Sequence, residues 1–94
     1  MAQDKPRIGP PSPQILETEI AEEISLYDPL TENVVVLNAT ASDIWRLSDG
    51  ESNLEEIVDL LAAAYGVDAD RIRGEVEETI RNFHAQGLLS TEQD

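Results

Sequence analysis

The sequence predicts a small α+β domain in which antiparallel strands come first and three helices follow. Apolar residues alternate or run together in short segments before residue 38, and they recur at helical spacing in three segments after it. The length of 94 residues allows one domain. Strands followed by helices favour an antiparallel sheet with the helices packed on one face.

Short segments of the N-terminal half predict the strands. Residues 24–27 alternate between the two faces of a strand, and residues 34–37 are four apolar residues in a row. Pro29 and Asn33 between them are typical of a turn, which predicts a β-hairpin. Residues 15–20 predict a third strand beside it.

Capping residues mark the beginnings of the helices. Thr40 is the expected cap of the first helix, and Asn53, with Glu56 at the third helical position, caps the second. Asp68 or Asp70 opens the third helix. The expected stops are the glycines Gly50, Gly66 and Gly87.

The two ends of the chain predict segments outside the domain. Four of the five prolines lie between residues 6 and 13, so residues 1–13 are expected to form a disordered tail. The polar residues 90–94 are expected to fray. The predicted domain is therefore residues 14–89.

The composition excludes several classes of protein. With 20 acidic and 6 basic residues the net charge is -14, which argues against nucleic acid as a partner. The chain has no cysteine and one histidine, His84, so no thiolate or multi-histidine metal site is expected. Neither a signal peptide nor a membrane span is apparent, which predicts a soluble cytoplasmic protein without a membrane partner.

No catalytic group stands out, and the chain is predicted not to be an enzyme and to need no cofactor. The paired carboxylates, such as Glu55 and Glu56, lie off the apolar stripes and are interpreted as solvated. His84 near a helix end is explained by the helix dipole. Trp45 is interpreted as a core residue rather than a binding platform. A small enzyme or metal protein built on the carboxylates remains an alternative.

Residues 34–37 form an apolar run that neither a charged residue nor a proline interrupts. If this strand lies at a sheet edge, its N–H and C=O groups are unpaired. A helix could cover the edge, a second copy could pair with it in a homodimer, or a peptide could add there as another strand. These residues alone leave the three interpretations open.

The chain also resembles a known family. The pattern that carries the resemblance is Leu37-Asn38, Thr40-Ala41, Ile44-Trp45 and Asp49-Gly50, with Leu26-Tyr27-Asp28-Pro29 before it and Gly87-Leu88-Leu89 at the end. This pattern is similar to the PqqD family from about Ile15 to Leu89. The resemblance implies a fold like a winged helix-turn-helix, with a three-stranded antiparallel sheet followed by three helices.

The resemblance also implies a function. Members of that family bind the leader segment of a ribosomally made precursor peptide and present it to a modifying enzyme or a leader peptidase. In members of this kind the leader adds as a strand to the third β-strand, in a groove against the third helix. The peptide-binding residues implied here are Val34, Val35, Val36, Leu37, Ile72, Arg73, Val76 and Ile80, with Arg73 as the partner of a leader carboxylate.

Three alternatives remain beside one another. The Tyr27-Asp28-Pro29 turn and Ile44-Trp45 resemble standalone members that work with a lasso-peptide leader peptidase. A chaperone for a radical SAM enzyme, as in the namesake quinone pathway, is the alternative within the family. A winged-helix nucleic-acid-binding protein is the alternative from another class, and the charge of -14 opposes it.

Overall fold

A computed structural model, which describes residues 6–90, shows three strands followed by three helices. The strands are β1 (Leu16–Ile20), β2 (Glu23–Asp28) and β3 (Asn33–Val36), and the helices are α1 (Ala39–Leu47), α2 (Leu54–Tyr65) and α3 (Ala69–Ala85). This order confirms the predicted α+β fold and its three-stranded sheet.

The sheet is antiparallel throughout, with the order β1-β2-β3. Ile24, Leu26 and Asp28 of β2 are buried on the face toward the helices, and the residues between them are more exposed. Alternation of this kind indicates a sheet with one covered face and one open face. The Asp28 carboxylate also accepts a hydrogen bond from the Leu30 N–H at 2.9 Å, which closes the turn before β3.

A buried hydroxyl joins the sheet to the first helix. Ser42 of α1 is fully buried. Its Oγ accepts the Ile24 N–H at 3.0 Å and donates to the Leu37 carbonyl at 3.3 Å. The Leu37 N–H donates directly to the Ile24 carbonyl at 2.8 Å. Ser42 therefore bridges the last pair of the β2–β3 ladder and fixes where α1 begins relative to β3.

The helix caps agree with the sequence at the second helix and differ at the first. Asn53 and Glu56 form a reciprocal capping box, with both hydrogen bonds at 2.9 Å, and Gly66 ends α2 in the left-handed conformation. The predicted Thr40 cap is wrong. Asn38 is extended and accepts the Ala41 N–H at 2.8 Å, which places Thr40 inside the first turn.

Trp45 lies in the core, as the sequence predicts. It is buried where α1 meets β1 and α3. Its ring meets the Phe83 ring edge to face, with centroids 5.3 Å apart, and its Nε1 donates to Glu17 Oε1 at 3.0 Å. Leu88 and Leu89 are also buried, after Gly87 turns the chain back onto the core.

Residues 6–13 lie on the domain as an extended segment, which we call the strap. The sequence had instead predicted a disordered tail over residues 1–13. Ile8 is buried, and its N–H and C=O bind Ser52 and Gly50 at 2.8 and 2.7 Å. At Gly9, with φ of +89°, a side chain would clash with the Ser48 carbonyl oxygen. The prolines lack only their own N–H groups, so the Pro10 carbonyl and the N–H groups of Ile8 and Ser12 still pair with the domain. Residues 1–5 and the predicted frayed residues 91–94 lie outside the described residues.

We predict that Ser42→Ala destabilises the domain by about 1–3 kcal/mol, because it leaves the Ile24 N–H and the Leu37 carbonyl buried without their bridge. Urea denaturation followed by circular dichroism measures this change. Ser12→Ala is the matched control, since that hydroxyl donates only to the exposed Gly87 carbonyl. Equal stability losses in the two variants would contradict the bridging role of Ser42.

We predict that Trp45→Ala costs about 3–5 kcal/mol of unfolding free energy, because it leaves a cavity between α1, β1 and α3. Trp45→Phe keeps most of the ring and loses the hydrogen bond to Glu17, so it should cost about 1–2 kcal/mol. Thermal and urea unfolding check both values. A Trp45→Ala protein as stable as the wild type would show that the ring is not part of the core.

Candidate functional site

The strand β3 forms one edge of the sheet and pairs only with β2 among the described residues. The side chains of Val34 and Val36 are 63% and 65% exposed, Val35 is half-buried, and Leu37 is buried. Since Leu37 bonds to Ile24, the alternation of an antiparallel ladder assigns Val35 to Leu26 as the next bonded pair. The N–H and C=O groups of Val34 and Val36 therefore point away from the sheet, at an open edge.

The opposite edge, β1, is different because it carries charge. Glu17 and Glu19 lie opposite Leu26 and Ile24, on the face toward the helices. There Glu17 accepts from Trp45, and Glu19 pairs with Arg46 at 2.6 Å. Charged side chains on the covered face of an edge strand are a known protection against unwanted pairing. The two edges of the sheet are therefore unequal, and β3 is the unprotected one.

The predicted stripe of α3 lies deeper than a groove wall would. Ile72, Val76 and Ile80 are all buried in the core. Ile72 also lines a small cleft beside α1, whereas Ile80 lines a separate depression with Ile8 and Leu54. The three residues therefore do not line one common groove, and only Ile72 reaches the cleft beside α1.

Arg73 lies on the side of α3 that faces α2. Its guanidinium is hydrogen-bonded to Glu55 of α2 and lies 3.6 Å from Asp70. Glu55 accordingly raises the pKa of Arg73. The structure does not support Arg73 as the partner of a leader carboxylate, because its guanidinium is already occupied and faces another helix.

The cleft beside α1 lies close to the end of β3, and we call it the Thr40 cleft. Its volume is about 200 Å³. Thr40, in the first turn of α1, follows Val36 by four residues. The residues that line the cleft are Thr40, Tyr65, Val67, Arg71, Ile72 and Glu75. The Thr40 cleft therefore lies among the three helices, and the wall formed by Thr40 is joined to the end of β3 by the short connection Leu37-Asn38-Ala39.

Tyr65 forms one wall of the Thr40 cleft. Its hydroxyl donates to Asp43 Oδ2 at 2.5 Å, which ties the end of α2 to α1. Burial and, next, the hydrogen bond to the Asp43 carboxylate raise the pKa of the Tyr65 hydroxyl. The hydroxyl thus stays protonated at neutral pH and serves to hold the ring in place.

The open face of the sheet carries a set of exposed apolar side chains, and we call it the outer face. Its exposed apolar residues are Leu16, Ile20, Tyr27, Val34 and Val36. Adjacent exposed apolar side chains on a small domain are typical of an interaction surface. The outer face continues to the β3 edge, because Val34 and Val36 belong to both.

Within residues 6–90 no group of three or more histidine or acidic side chains is placed to hold a metal ion. No helix of this part of the chain is long and apolar enough to cross a membrane. The arrangement therefore offers an open backbone edge, a small cleft and an apolar face, which together suit the binding of an extended chain.

An edge of this kind, beside a helix-lined cleft, defines a class of small peptide-binding domains. The chain belongs to the family described as Coenzyme PQQ synthesis protein D (PqqD), which it matches over residues 23–89. No curated protein matches it in sequence. Among solved structures it is similar to "TbiB1 in Complex with the TbiA(beta) Leader Peptide", with 28% identity and a TM-score of 0.79. That similarity covers 89% of this chain and 98% of the other.

Sequence reasoning missed the cleft residues Thr40, Tyr65 and Arg71. The helical spacing of α3 identifies its buried stripe, but it leaves open which flank faces α2 and which faces α1. Helical spacing groups Tyr65 with the apolar residues of α2, but it does not show that the hydroxyl finds its partner on α1. A signal for Arg71 does exist, since it precedes Ile72 on the flank opposite Arg73.

Proposed function

We propose that this protein binds the leader segment of a ribosomally made precursor peptide and presents it to a processing enzyme. The observation that carries the proposal is the open β3 edge, whose Val34 and Val36 backbone groups point outward. Membership of the PqqD family and the likeness to TbiB1, which is bound to a leader peptide, support it.

The proposed mode of binding is strand addition. A peptide that pairs with Val34 and Val36 exchanges backbone hydrogen bonds with both residues, which gives affinity with little demand on sequence. Its side chains then alternate between the outer face and the side of the Thr40 cleft. Of the predicted residues 34–37, Val34 and Val36 are the proposed backbone contacts. Val35 and Leu37 bond inward to β2 and act by holding the strand in place.

The proposed partner is the leader peptidase of a lasso-peptide pathway. The resemblance of the Tyr27-Asp28-Pro29 turn and of Ile44-Trp45 to standalone family members supports this choice over a radical SAM enzyme. The outer face offers such an enzyme apolar contact area next to the bound peptide. The protein itself is proposed to be non-catalytic, because its role needs only binding. It is proposed to act in the cytoplasm.

Fluorescence anisotropy tests the proposal. The probes are the labelled TbiA(beta) leader peptide and labelled leaders of candidate lasso and radical SAM precursors, each with a scrambled version. We expect at least one leader to bind tightly and its scrambled version to bind weakly. A labelled DNA duplex at two salt concentrations is the control for the other class. Salt-sensitive DNA binding with no leader binding would overturn the proposal.

We predict that Val36→Pro weakens leader binding by at least about tenfold, because proline removes one outward backbone donor and places its ring at the edge. The matched control is Val36→Thr, which keeps the N–H and a β-branched side chain and should bind normally. Anisotropy titrations measure affinity, and circular dichroism confirms the fold. Unchanged affinity in a folded Val36→Pro protein would exclude pairing at this edge.

Val35→Pro distinguishes the two sides of the strand. Its N–H faces Leu26 inside the sheet, so the substitution breaks the β2–β3 ladder. We expect Val35→Pro to lower thermal stability clearly and Val36→Pro to lower it little. The reverse order of stabilities would show that the outward and inward residues of β3 are assigned incorrectly.

A further inference from the structure

Pairing with a bare strand edge leaves the register of the peptide undetermined. Backbone hydrogen bonds repeat every two residues, so a peptide could slide along Val34 and Val36 with little change in energy. A side-chain pocket beside the edge would remove this freedom. The Thr40 cleft is the candidate for this pocket, because Thr40 in its wall follows Val36 of β3 by only four residues.

The size of the cleft fits one side chain. Its volume of about 200 Å³ is smaller than the roughly 300–1,000 Å³ of ordinary small-molecule sites. The aromatic ring of Tyr65 and the apolar side chains of Val67 and Ile72 give it an apolar lining, while Arg71 and Glu75 bring charge to it. Such a lining suits a side chain with an apolar stem and a polar head.

The charges in the Thr40 cleft indicate which polar group of a peptide side chain the cleft accepts. Arg46 pairs with Glu19 and Asp43, and Arg73 pairs with Glu55 and Asp70. By contrast, Arg7, Arg71 and Arg81 have no carboxylate of residues 6–90 at ion-pair distance, and of these three only Arg71 lines the Thr40 cleft. The Arg71 guanidinium is therefore available to a carboxylate from outside the chain.

Glu75 restricts where that carboxylate can sit. It lies one helical turn after Arg71 and lines the same cleft. A carboxylate near Arg71 is attracted, whereas a second one further along α3 is repelled by Glu75. The net charge of -14 disfavours acidic peptide residues elsewhere on the surface.

We propose that the Thr40 cleft sets the register of the bound peptide by accepting one acidic side chain, whose carboxylate pairs with Arg71. This proposal rests on the proposed leader-binding function and names the feature that a cognate leader carries. Glutamate suits the cleft best, because its methylene stem packs against Tyr65 and Ile72 while its carboxylate reaches the guanidinium.

A positional scan of the peptide tests the proposal. The probe is the tightest binder among the TbiA(beta) leader and the candidate leaders, synthesised with Glu and with Gln at each position in turn. At most positions we expect Glu to bind more weakly than Gln, because the protein is acidic. At one position we expect Glu to bind about fivefold more tightly than Gln, which is the size of a solvent-accessible ion pair.

Variants of the protein decide whether Arg71 is responsible. In the Arg71→Glu protein, the peptide with Gln at that position should bind more tightly than the peptide with Glu. A peptide with Lys at the same position should restore the affinity. Arg81→Glu makes the same change of charge on α3, but Arg81 lies with Ile8 and Leu54 in a separate depression. It should leave the preference unchanged, so it controls for the general effect of net charge.

The outcomes separate this proposal from the function on which it rests. If leaders bind but no position prefers Glu, or if Arg71→Glu leaves that preference intact, the register proposal is overturned and leader binding stands. An equal reversal in Arg81→Glu also overturns it, since the effect is then one of net charge. If no leader binds, the proposed function fails and the register proposal fails with it.

Discussion

The buried hydroxyl of Ser42 is the contact on which the geometry of this domain depends. Its Oγ accepts a hydrogen bond from the Ile24 N–H and donates one to the Leu37 carbonyl, so one side chain of α1 completes the β2–β3 ladder. The end of β3 and the start of α1 are thereby fixed to each other. Because Thr40 lies between Leu37 and Ser42, the position of the cleft relative to the open edge follows from the same contact.

The sheet separates two tasks that peptide recognition requires. Its protected edge, β1, is held to α1 by the contacts of Glu17 and Glu19, and this leaves β3 as the place where a further strand can pair. Outward backbone groups on β3 would supply affinity, which depends little on sequence. The Thr40 cleft would supply selectivity, which depends on the size and charge of one peptide side chain. The small domain thus needs no deep pocket.

Local features of the sequence predicted most of the fold. Contacts between segments that are distant in the sequence could not be predicted from it. The capping box of Asn53 and Glu56 is visible because its two residues are three positions apart. The strap is not visible, since the Ser12 hydroxyl finds its partner, Gly87, 75 residues away. For the same reason the resemblance suggested Arg73 as a peptide contact, although its partner Glu55 lies on another helix. The strand β3 was predicted because an uninterrupted apolar run is itself a local feature, whereas its place at the sheet edge was left open, since that depends on contacts with other segments.

The strap pairs with the C-terminal end of the described chain through residues 10–12. The Ser90 N–H donates to the Pro10 carbonyl, and the Ser12 N–H donates to the Leu88 carbonyl, both at 2.8 Å. This junction lies at the C-terminal end of α3, about 25 Å along the helix from its first residues, at 1.5 Å per residue. A tether attached after Ser90 would therefore pull on the strap and on the end of α3 together, at the opposite end of that helix from the residues that line the Thr40 cleft.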